Sequence, residues 1–364
     1  MSTLYKLSIR IGSTELPVAV GDDWLEINTV LNNVRPRGTV PVVADENVAR
    51  LGYAEQVKLA MEQSGYAAEV TVLSAGEGSK AYSTVERLHA DWAERRVPRD
   101  GVVFAVGGGV VSDVAGFAAA TWLRGIRWIC CPTTVEAMVD ACIGGKTGIN
   151  LPCGKNLVGA FHQPSAVLVN VDTLRTLPRR DLVAGMAESI KHAAVHDAGL
   201  FEWHTAQRSA ILQSNPEVLA ELVVRNIRVK AEVIGPDERD LTGRRIILNF
   251  GHTVGHAIES AVDYRLRHGE CVALGMVAAA DLSRQLAGLS AGEADRLVRL
   301  LAAFELPVRL PEPVAVDRIL EHLRQDKKTR DHRLPFVLLE AIGRARVVEH
   351  VDEARLGAAI ASLT

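Results

Sequence analysis

The segment Gly101-Val-Val-Phe-Ala-Val106 runs straight into Gly107-Gly-Gly109 and then into a small-residue stretch from Ser112 to Leu123. No other feature constrains the fold as much. A short continuous apolar run, closed by glycine and followed by a helical pattern, is the signature of a strand buried on both faces. The pattern recurs along the first half of the chain. Val40-Pro-Val-Val-Ala44 leads through Asp45-Glu-Asn47 into a helix ending near Ser64; Ala68–Leu73 is a second strand, followed by an amphipathic helix over Ser83–Arg96; Arg127-Trp-Ile-Cys-Cys131 is a fourth strand, ended by Pro132-Thr133-Thr134. This alternation predicts a parallel sheet covered by helices on both faces. Residues 1–20 read as two short alternating strands joined at Gly12-Ser13. From Leu177-Pro178 onward the pattern turns almost wholly helical, with 3.6-residue periodicity over 181–195, 216–235, 252–262, 270–287 and 291–304. The expected architecture is therefore α/β plus all-α, with a Rossmann-like parallel-sheet domain over residues 1–178 and a helical domain over 179–364.

Bulk properties narrow the function classes. A length of 364 residues accommodates two domains. A formal net charge of −3 offers no basic surplus for nucleic acid. No apolar stretch approaches the roughly 20 residues of a membrane span, and the N-terminal residues lack a signal-peptide core. Five cysteines, odd in number and without framework spacing, predict reduced thiols in a cytoplasm, used for packing. Adjacent Cys130 and Cys131 are expected on opposite faces of one strand.

The turn Gly107-Gly-Gly-Val-Val-Ser112-Asp113 lies between strand and helix, where glycine lets backbone approach a pyrophosphate and the helix N-terminus favours its charge. A strict dinucleotide fingerprint has a third glycine where Ser112 stands. Thr133 and Thr134, at the end of the next strand, face the same crevice. Downstream, Asp140-Ala-Cys-Ile-Gly-Gly-Lys146 through Asn150, then Gly154-Lys155-Asn156, reads as a lysine-rich loop suited to an anion. Its spacing is not that of a P-loop.

In the second half, Asn249-Phe-Gly-His-Thr-Val-Gly-His256 and His268-Gly-Glu270 gather three histidines. His252 and His256 share one helical face, and with His268 and a carboxylate from elsewhere they make a candidate divalent-metal site. A metal site and a dinucleotide turn in one chain point to redox chemistry on a polar substrate.

These blocks, together with Arg124-Gly125 and Gly185-Met-Ala-Glu188-Ser-Ile-Lys191, resemble the 3-dehydroquinate synthase family of the sugar-phosphate cyclases, collinearly from Asp45 to Lys328. The resemblance implies an NAD-binding α/β domain followed by a helical metal domain. It also implies a reaction in which a seven-carbon keto acid phosphate (DAHP) becomes 3-dehydroquinate. NAD transiently oxidises a ring carbinol, phosphate is eliminated, the ketone is reduced, and the ring reopens and closes as a carbocycle. By resemblance Glu188, His252 and His268 are the ligands of zinc or cobalt, leaving His256 for acid–base or substrate contact. Asp140, Lys146, Lys155, Asn156 and Lys191 match substrate-site residues, with Lys146 and Asn156 at the phosphate. Arg124 matches an arginine that reaches a phosphate across a homodimer interface, and Lys327 or Lys328 matches a further substrate lysine. Asp45, Asn47, Glu77, Lys80, Gly108, Gly109, Asp113, Thr133, Thr134, Thr173 and Thr176 match the dinucleotide site.

Relatives that close sugar phosphates without a carboxylate need no cation for one. This chain has Lys230, Arg245 and Asn249 at the family's carboxylate positions, which favours the keto acid. Two departures matter. Ser112 places a hydroxyl near the pyrophosphate, and the segment Asp237–Arg245 is one residue longer than usual, so that Arg244 competes with Arg245 for the arginine's role. Competing readings are an aminodehydroquinate synthase or another cyclase of secondary metabolism, a metal-dependent polyol dehydrogenase, and a non-catalytic binding descendant. The last is disfavoured because the ligand positions and Lys191 are intact.

Overall fold

A computed structural model of the chain describes residues 5–24, 26–329 and 335–364, with side chains in the helix ending at Thr329 described as far as Gln325. The strands are β1 (Tyr5–Ile11), β2 (Thr14–Gly21), β3 (Val40–Asp45), β4 (Ala68–Leu73), β5 (Val102–Gly107), β6 (Arg127–Pro132), β7 (Lys146–Leu151), β8 (Gly154–Phe161), β9 (Ala166–Asn170), β10 (Phe336–Ala341) and β11 (Arg344–Val348). The helices are α1 (Glu26–Val34), α2 (Glu46–Arg50), α3 (Tyr53–Gln63), α4 (Tyr82–Glu94), α5 (Gly109–Thr121), α6 (Arg179–His196), α7 (Ala198–Leu212), α8 (Pro216–Ile234), α9 (His252–Ala261), α10 (His268–Leu286), α11 (Ala291–Ala303), α12 (Val316–Thr329) and α13 (Glu353–Ala361).

Residues up to Leu177 form one compact unit together with Pro216–Arg239; Pro178–Asn215 and the chain from Asp240 form the other. A single cut near 178 thus omits α8. The apolar face of that helix packs on β1, β2 and the turn at Ala137–Ala141, so the chain returns to the first unit before its final crossing.

The first unit is built on a seven-stranded sheet in the order β1-β2-β9-β6-β5-β3-β4. Only the β1–β2 hairpin is antiparallel, turning at Gly12 with φ +57°; every other pairing is parallel. Strand alternation divides the core between the two faces. Val42, Ala44, Phe104, Val106, Ile129 and Cys131 pack with the residues of α1 and α3 in one core. Val43, Val103, Ala105 and Cys130 are equally buried but lie outside that core, as expected for the opposite face of their strands. The sheet changes winding direction between β3 and β5, and the crevice at such a switch point, beyond the strands' carboxyl ends, is where ligands bind. Asp45 and Gly107 are the last residues of those two strands.

The lysine-rich segment is not a loop. β7 and β8 form a separate antiparallel ribbon in which Lys146 opposes Phe161 and Leu151 opposes Gly154. Lys146 and Lys155 therefore lie at opposite ends of it, their backbones roughly 13 Å apart at ~3.3 Å per residue.

The second unit is mainly helical, but it also contains the β10–β11 hairpin, which the helical pattern did not suggest. Its core joins α9, α10, α12, β10 and α13 through residues such as Ile258, Leu274, Leu282, Leu323, Leu338 and Ile360. Among the described residues no helix is long and apolar enough to cross a membrane.

Candidate active site

In the first unit, the turn after β5 brings bare backbone to the switch point. A Cβ on Gly108 would come within 3.2 Å of Thr134 Cγ2, whereas one on Gly109 would meet nothing nearer than 3.8 Å. A side chain there would make an ordinary contact with Ala141, so protein does not close off the backbone at the first N–H groups of α5. No side chain among the described residues caps that helix. An uncapped helix start with open backbone is suited to a phosphate-bearing ligand. Ser112 does not reach toward such a ligand. It is buried, and its hydroxyl donates back to the Gly109 carbonyl at 3.0 Å. The extra hydroxyl, expected beside the pyrophosphate, instead satisfies a carbonyl of its own helix.

Around the turn sits a polar cluster. Buried Lys80 donates through Nζ to Asp113 Oδ2 at 2.6 Å and to Asn156 Oδ1. Its ammonium is 3.8 Å from Glu77. Burial raises the pKa of the Asp113 carboxyl, with Lys80 opposing that shift. Asn150 completes the cluster: Nδ2 donates to Glu77 Oε1 at 2.8 Å, Oδ1 accepts the Asn156 amide at 2.8 Å, and its own amide donates to the Lys80 carbonyl at 2.8 Å. Sequence reasoning missed Asn150; its one signal was its place at the end of the glycine- and lysine-rich block.

Other expected dinucleotide residues are committed to local structure. Asp45 Oδ1 accepts the Asn47 and Val48 amides at 2.8 and 2.9 Å, capping α2. Asn47 accepts from Arg50 at 3.2 Å. Thr133 donates its amide to the Gly107 carbonyl at 3.0 Å, tying β6 to β5, and Thr134 Oγ1 accepts the Ala137 amide. Thr173 donates to the Asn170 carbonyl at 2.8 Å, and the Thr176 hydroxyl lies 2.9 Å from Tyr53 Oη.

Asp140 lies on a single π-helical turn, Ala137–Ala141, a geometry common at functional sites. Its Oδ1 is 2.6 Å from buried Lys230 Nζ, which reaches it from α8. Lys146 and Lys155 are exposed. Exposed Arg124 lines an open cleft of about 690 Å³ with Arg99, Arg127, Phe161 and His162.

In the second unit, four glycines set how closely three helices approach. A Cβ on Gly275 of α10 would lie 1.9 Å from the Gly251 carbonyl at the start of α9, and one on Gly255 would lie 2.9 Å from the Cys271 carbonyl. On Gly269 it would lie 1.9 Å from the Ala184 carbonyl of α6. Gly251 has φ +79° and no room for a side chain. This close packing presents Glu188 of α6, His252 and His256 of α9, and His268 of α10 to one another.

Glu188 is buried, and its Oε1 is 3.3 Å from His252 Nε2 and 3.4 Å from His268 Nε2. Oε1 accepts no hydrogen bond among the described residues. The ring contacts account for this. His252 Nδ1 faces the Phe250 carbonyl at 3.2 Å and His268 Nδ1 faces Glu259 Oε2 at 3.4 Å, so with both rings neutral and the proton on Nδ1, both Nε2 atoms would turn a lone pair toward Oε1. Three converging lone pairs suit a cation. Metal–ligand distances of about 2.0–2.2 Å give a tetrahedral edge of roughly 3.3–3.6 Å, a range that includes the two measured separations. One nitrogen each of His252, His256 and His268 also lie within 4.8 Å of one another, so the histidines alone do not exclude His256 from a ligand set.

Burial by itself would raise the Glu188 pKa, but the Lys191 ammonium and then the His252 ring outweigh it and hold the carboxyl well below the usual carboxylate range. Lys191, one turn along α6 and buried, donates to Glu188 Oε2. Crowding by protein, then His252 and His268, lowers the pKa of the His256 ring, keeping it neutral at pH 7. Glu270 is structural. It accepts the Arg267 amide at 2.8 Å and pairs through both oxygens with Arg180 at 2.7 Å, fixing the start of α10 beside α6. Arg245 is buried and Arg244 exposed, so Arg245 has the inward position; Asn249 is exposed. The side chains of Lys327 and Lys328 lie outside the described residues. Glu259 was not singled out from the sequence, although it lies one helical turn after His256.

Residues 70–184 match the family described as 3-dehydroquinate synthase N-terminal, and residues 185–329 the one described as 3-dehydroquinate synthase C-terminal. A 3-dehydroquinate synthase of Symbiobacterium thermophilum is 47% identical over 333 residues, 91% of this chain and 92% of that protein. Among solved structures, 2-epi-5-epi-valiolone synthase from Streptomyces hygroscopicus subsp. jinggangensis, with NAD+ and Zn2+ bound, superposes with a TM-score of 0.87 at 29% identity, covering 97% of this chain and 98% of that one. A 2-deoxy-scyllo-inosose synthase complexed with carbaglucose-6-phosphate, NAD+ and Co2+ gives 0.89 at 24% identity, covering 99% and 100%; at that identity the likeness is one of fold.

Proposed function

Because the chain belongs to the 3-dehydroquinate synthase family, we propose that it converts DAHP to 3-dehydroquinate and phosphate, with NAD and a divalent metal, zinc or cobalt, as its cofactors. The observation that carries the choice of substrate is the pair of buried cations Lys230 and Arg245 at the family's carboxylate positions. Lys230 already pairs with Asp140 at 2.6 Å, and a sugar phosphate without a carboxylate would gain nothing further from the two cations.

Glu188, His252 and His268 would hold the metal, and the α5 turn with Asp45, Asn47, Glu77, Lys80, Asp113 and the threonines after β6 and β9 would hold the dinucleotide. When bound, NAD accepts and returns a hydride, and the metal polarises the oxygen on the carbon undergoing oxidation. The remaining work falls to the protein. Lys146 and Asn156 would bind the phosphoryl group and orient it for departure, with Lys155 a further substrate-site residue. Lys230, steered by Asp140, and likewise Arg245 and Asn249, match the family's carboxylate residues. His256, neutral at pH 7, would contact the substrate through a ring nitrogen. Lys191, held by Glu188, supplies a fixed positive charge. A homodimer that brings Arg124 to the partner's phosphate, a substrate role for Lys327 or Lys328, and a cytoplasmic location belong to the same reading. All five cysteines are free thiols, which accords with that location.

The test is a phosphate-release assay with DAHP, NAD and zinc, product being captured by a dehydroquinase. Metal-dependent release that chelation abolishes, without net NADH, supports the assignment. No release from a protein shown to bind NAD and metal rejects it in favour of the amino analogue or a sugar 7-phosphate.

A further inference from the structure

The β7–β8 ribbon is regular from Lys146 to Ile149 and then slips register before Leu151, so Asn150 sits at a bulge. Bulges of this kind re-aim side chains beside active sites. The Asn150 backbone amide leaves the ribbon and donates to the Lys80 carbonyl at 2.8 Å. Its side chain spans two groups that serve different ends of the chemistry. Nδ2 donates to Glu77 at 2.8 Å, and Oδ1 accepts the backbone amide of Asn156 at 2.8 Å. Asn156 has φ +55°, a left-handed conformation that asparagine tolerates better than most side-chain-bearing residues and in which its amide is held by Asn150. Its side chain is in turn the acceptor for Lys80, which also binds Asp113.

We propose that Asn150 is a positioning residue that fastens Asn156, at the phosphate end of the site, to the Glu77–Lys80–Asp113 cluster at the dinucleotide end. The assignment of phosphate to Asn156 rests on the proposed function. Asn150 touches neither ligand. It acts by fixing the left-handed backbone that aims Asn156 and by holding the ribbon onto the segment carrying Glu77 and Lys80. Without it, Asn156 relaxes toward ordinary backbone angles and the phosphate site loses a donor that was aimed in advance.

The experiment uses full-length protein at saturating NAD, with inorganic phosphate as the probe in calorimetric titration, alongside DAHP kinetics. Asn150→Ala should weaken phosphate binding about tenfold, the scale of removing one or two hydrogen bonds. The DAHP KM should rise in parallel and kcat should change less. Asn150→Asp, which places a second carboxylate against Glu77, should weaken phosphate as much. Combining it with Glu77→Gln restores the bond with its polarity reversed, and should recover phosphate binding to within about threefold of wild type. A merely structural role would lower the melting temperature of the variants while leaving phosphate affinity within twofold, and that result overturns the proposal. So does a double variant no better than Asn150→Asp. If wild type binds phosphate but releases none from DAHP, the functional reading fails while the phosphate titrations still decide the role of Asn150.

Discussion

Replacing Gly275 with alanine should unload the metal centre while leaving the protein folded. A Cβ there would lie 1.9 Å from the Gly251 carbonyl and 2.8 Å from the Gly255 amide nitrogen, both backbone atoms of the α9 segment. An ordinary carbon–oxygen contact is well over 3 Å, so α10 must draw back from the start of α9 by roughly 1 Å or more, against an interior packed like a crystal. Overpacking of this kind costs about 1–3 kcal/mol, and alanine's better helix propensity returns at most ~1 kcal/mol. Total stability of about 5–15 kcal/mol absorbs the difference. The metal centre tolerates far less. His252 directly follows Gly251, while His268 lies two turns before Gly275 on the retreating helix. Ligand distances must hold to within ~0.2 Å, so a shift several times larger should weaken zinc binding by about 10–100-fold or more. Chelator competition measures the affinity, and thermal melting in the metal-free state measures the fold. Gly292→Ala, where a Cβ meets nothing within 4 Å, is the control and should leave zinc affinity unchanged without lowering the melting temperature. Zinc affinity within twofold of wild type in Gly275→Ala, despite a lowered metal-free melting temperature, would refute the view that glycine-mediated helix contact sets the ligand geometry.

Glu259→Gln should weaken zinc binding about 10–100-fold, because Glu259 faces His268 Nδ1 and fixes the ring's tautomer; an unchanged dissociation constant argues for a packing role only. Lys230→Ala should cost at least about a hundredfold in kcat/KM for DAHP, the scale of truncating one partner of a buried charge pair, with little change in NAD affinity; a decrease below about threefold would contradict the carboxylate role. Burial raises the pKa values of Cys130, Cys131 and Cys142, the last to about 12, so these thiols stay protonated well above pH 8. Mass spectrometry after alkylation of native protein at pH 8 should therefore find Cys153, the exposed thiol, modified alone; labelling of Cys142 under the same conditions would contradict its burial.

Much of the fold was legible because the central strands are apolar on both faces and end in glycine, proline or aspartate. The strand over Ala68–Leu73 was placed to the residue, and α5 began three residues before the expected Ser112 because Gly109 already carries helical backbone. Elsewhere, local pattern says nothing about which unit a helix joins. The periodicity of α8 marks an apolar face but not that the face meets β1 and β2. The ribbon went unrecognised as strands because half of its residues are glycine, lysine or asparagine, which are not strand formers. Histidine spacing located the metal-type centre but could not rank His256 against Glu188, which lies far away in sequence; helix packing through Gly251, Gly255, Gly269 and Gly275 brings that carboxylate in. Glu259 and Asn150 were missed for a common reason. Each acts through a neighbour, and such contacts become visible only in three dimensions.

The central claim is that the dinucleotide is used and regenerated within every turnover. NAD-loaded, zinc-loaded protein given a large excess of DAHP, with no added NAD, should release many phosphates per bound NAD while absorbance at about 340 nm stays flat at steady state, as expected when each hydride taken is returned. Phosphate release that stops near one equivalent as NADH accumulates, or NADH rising with no phosphate released, would contradict it and point to a simple alcohol dehydrogenase.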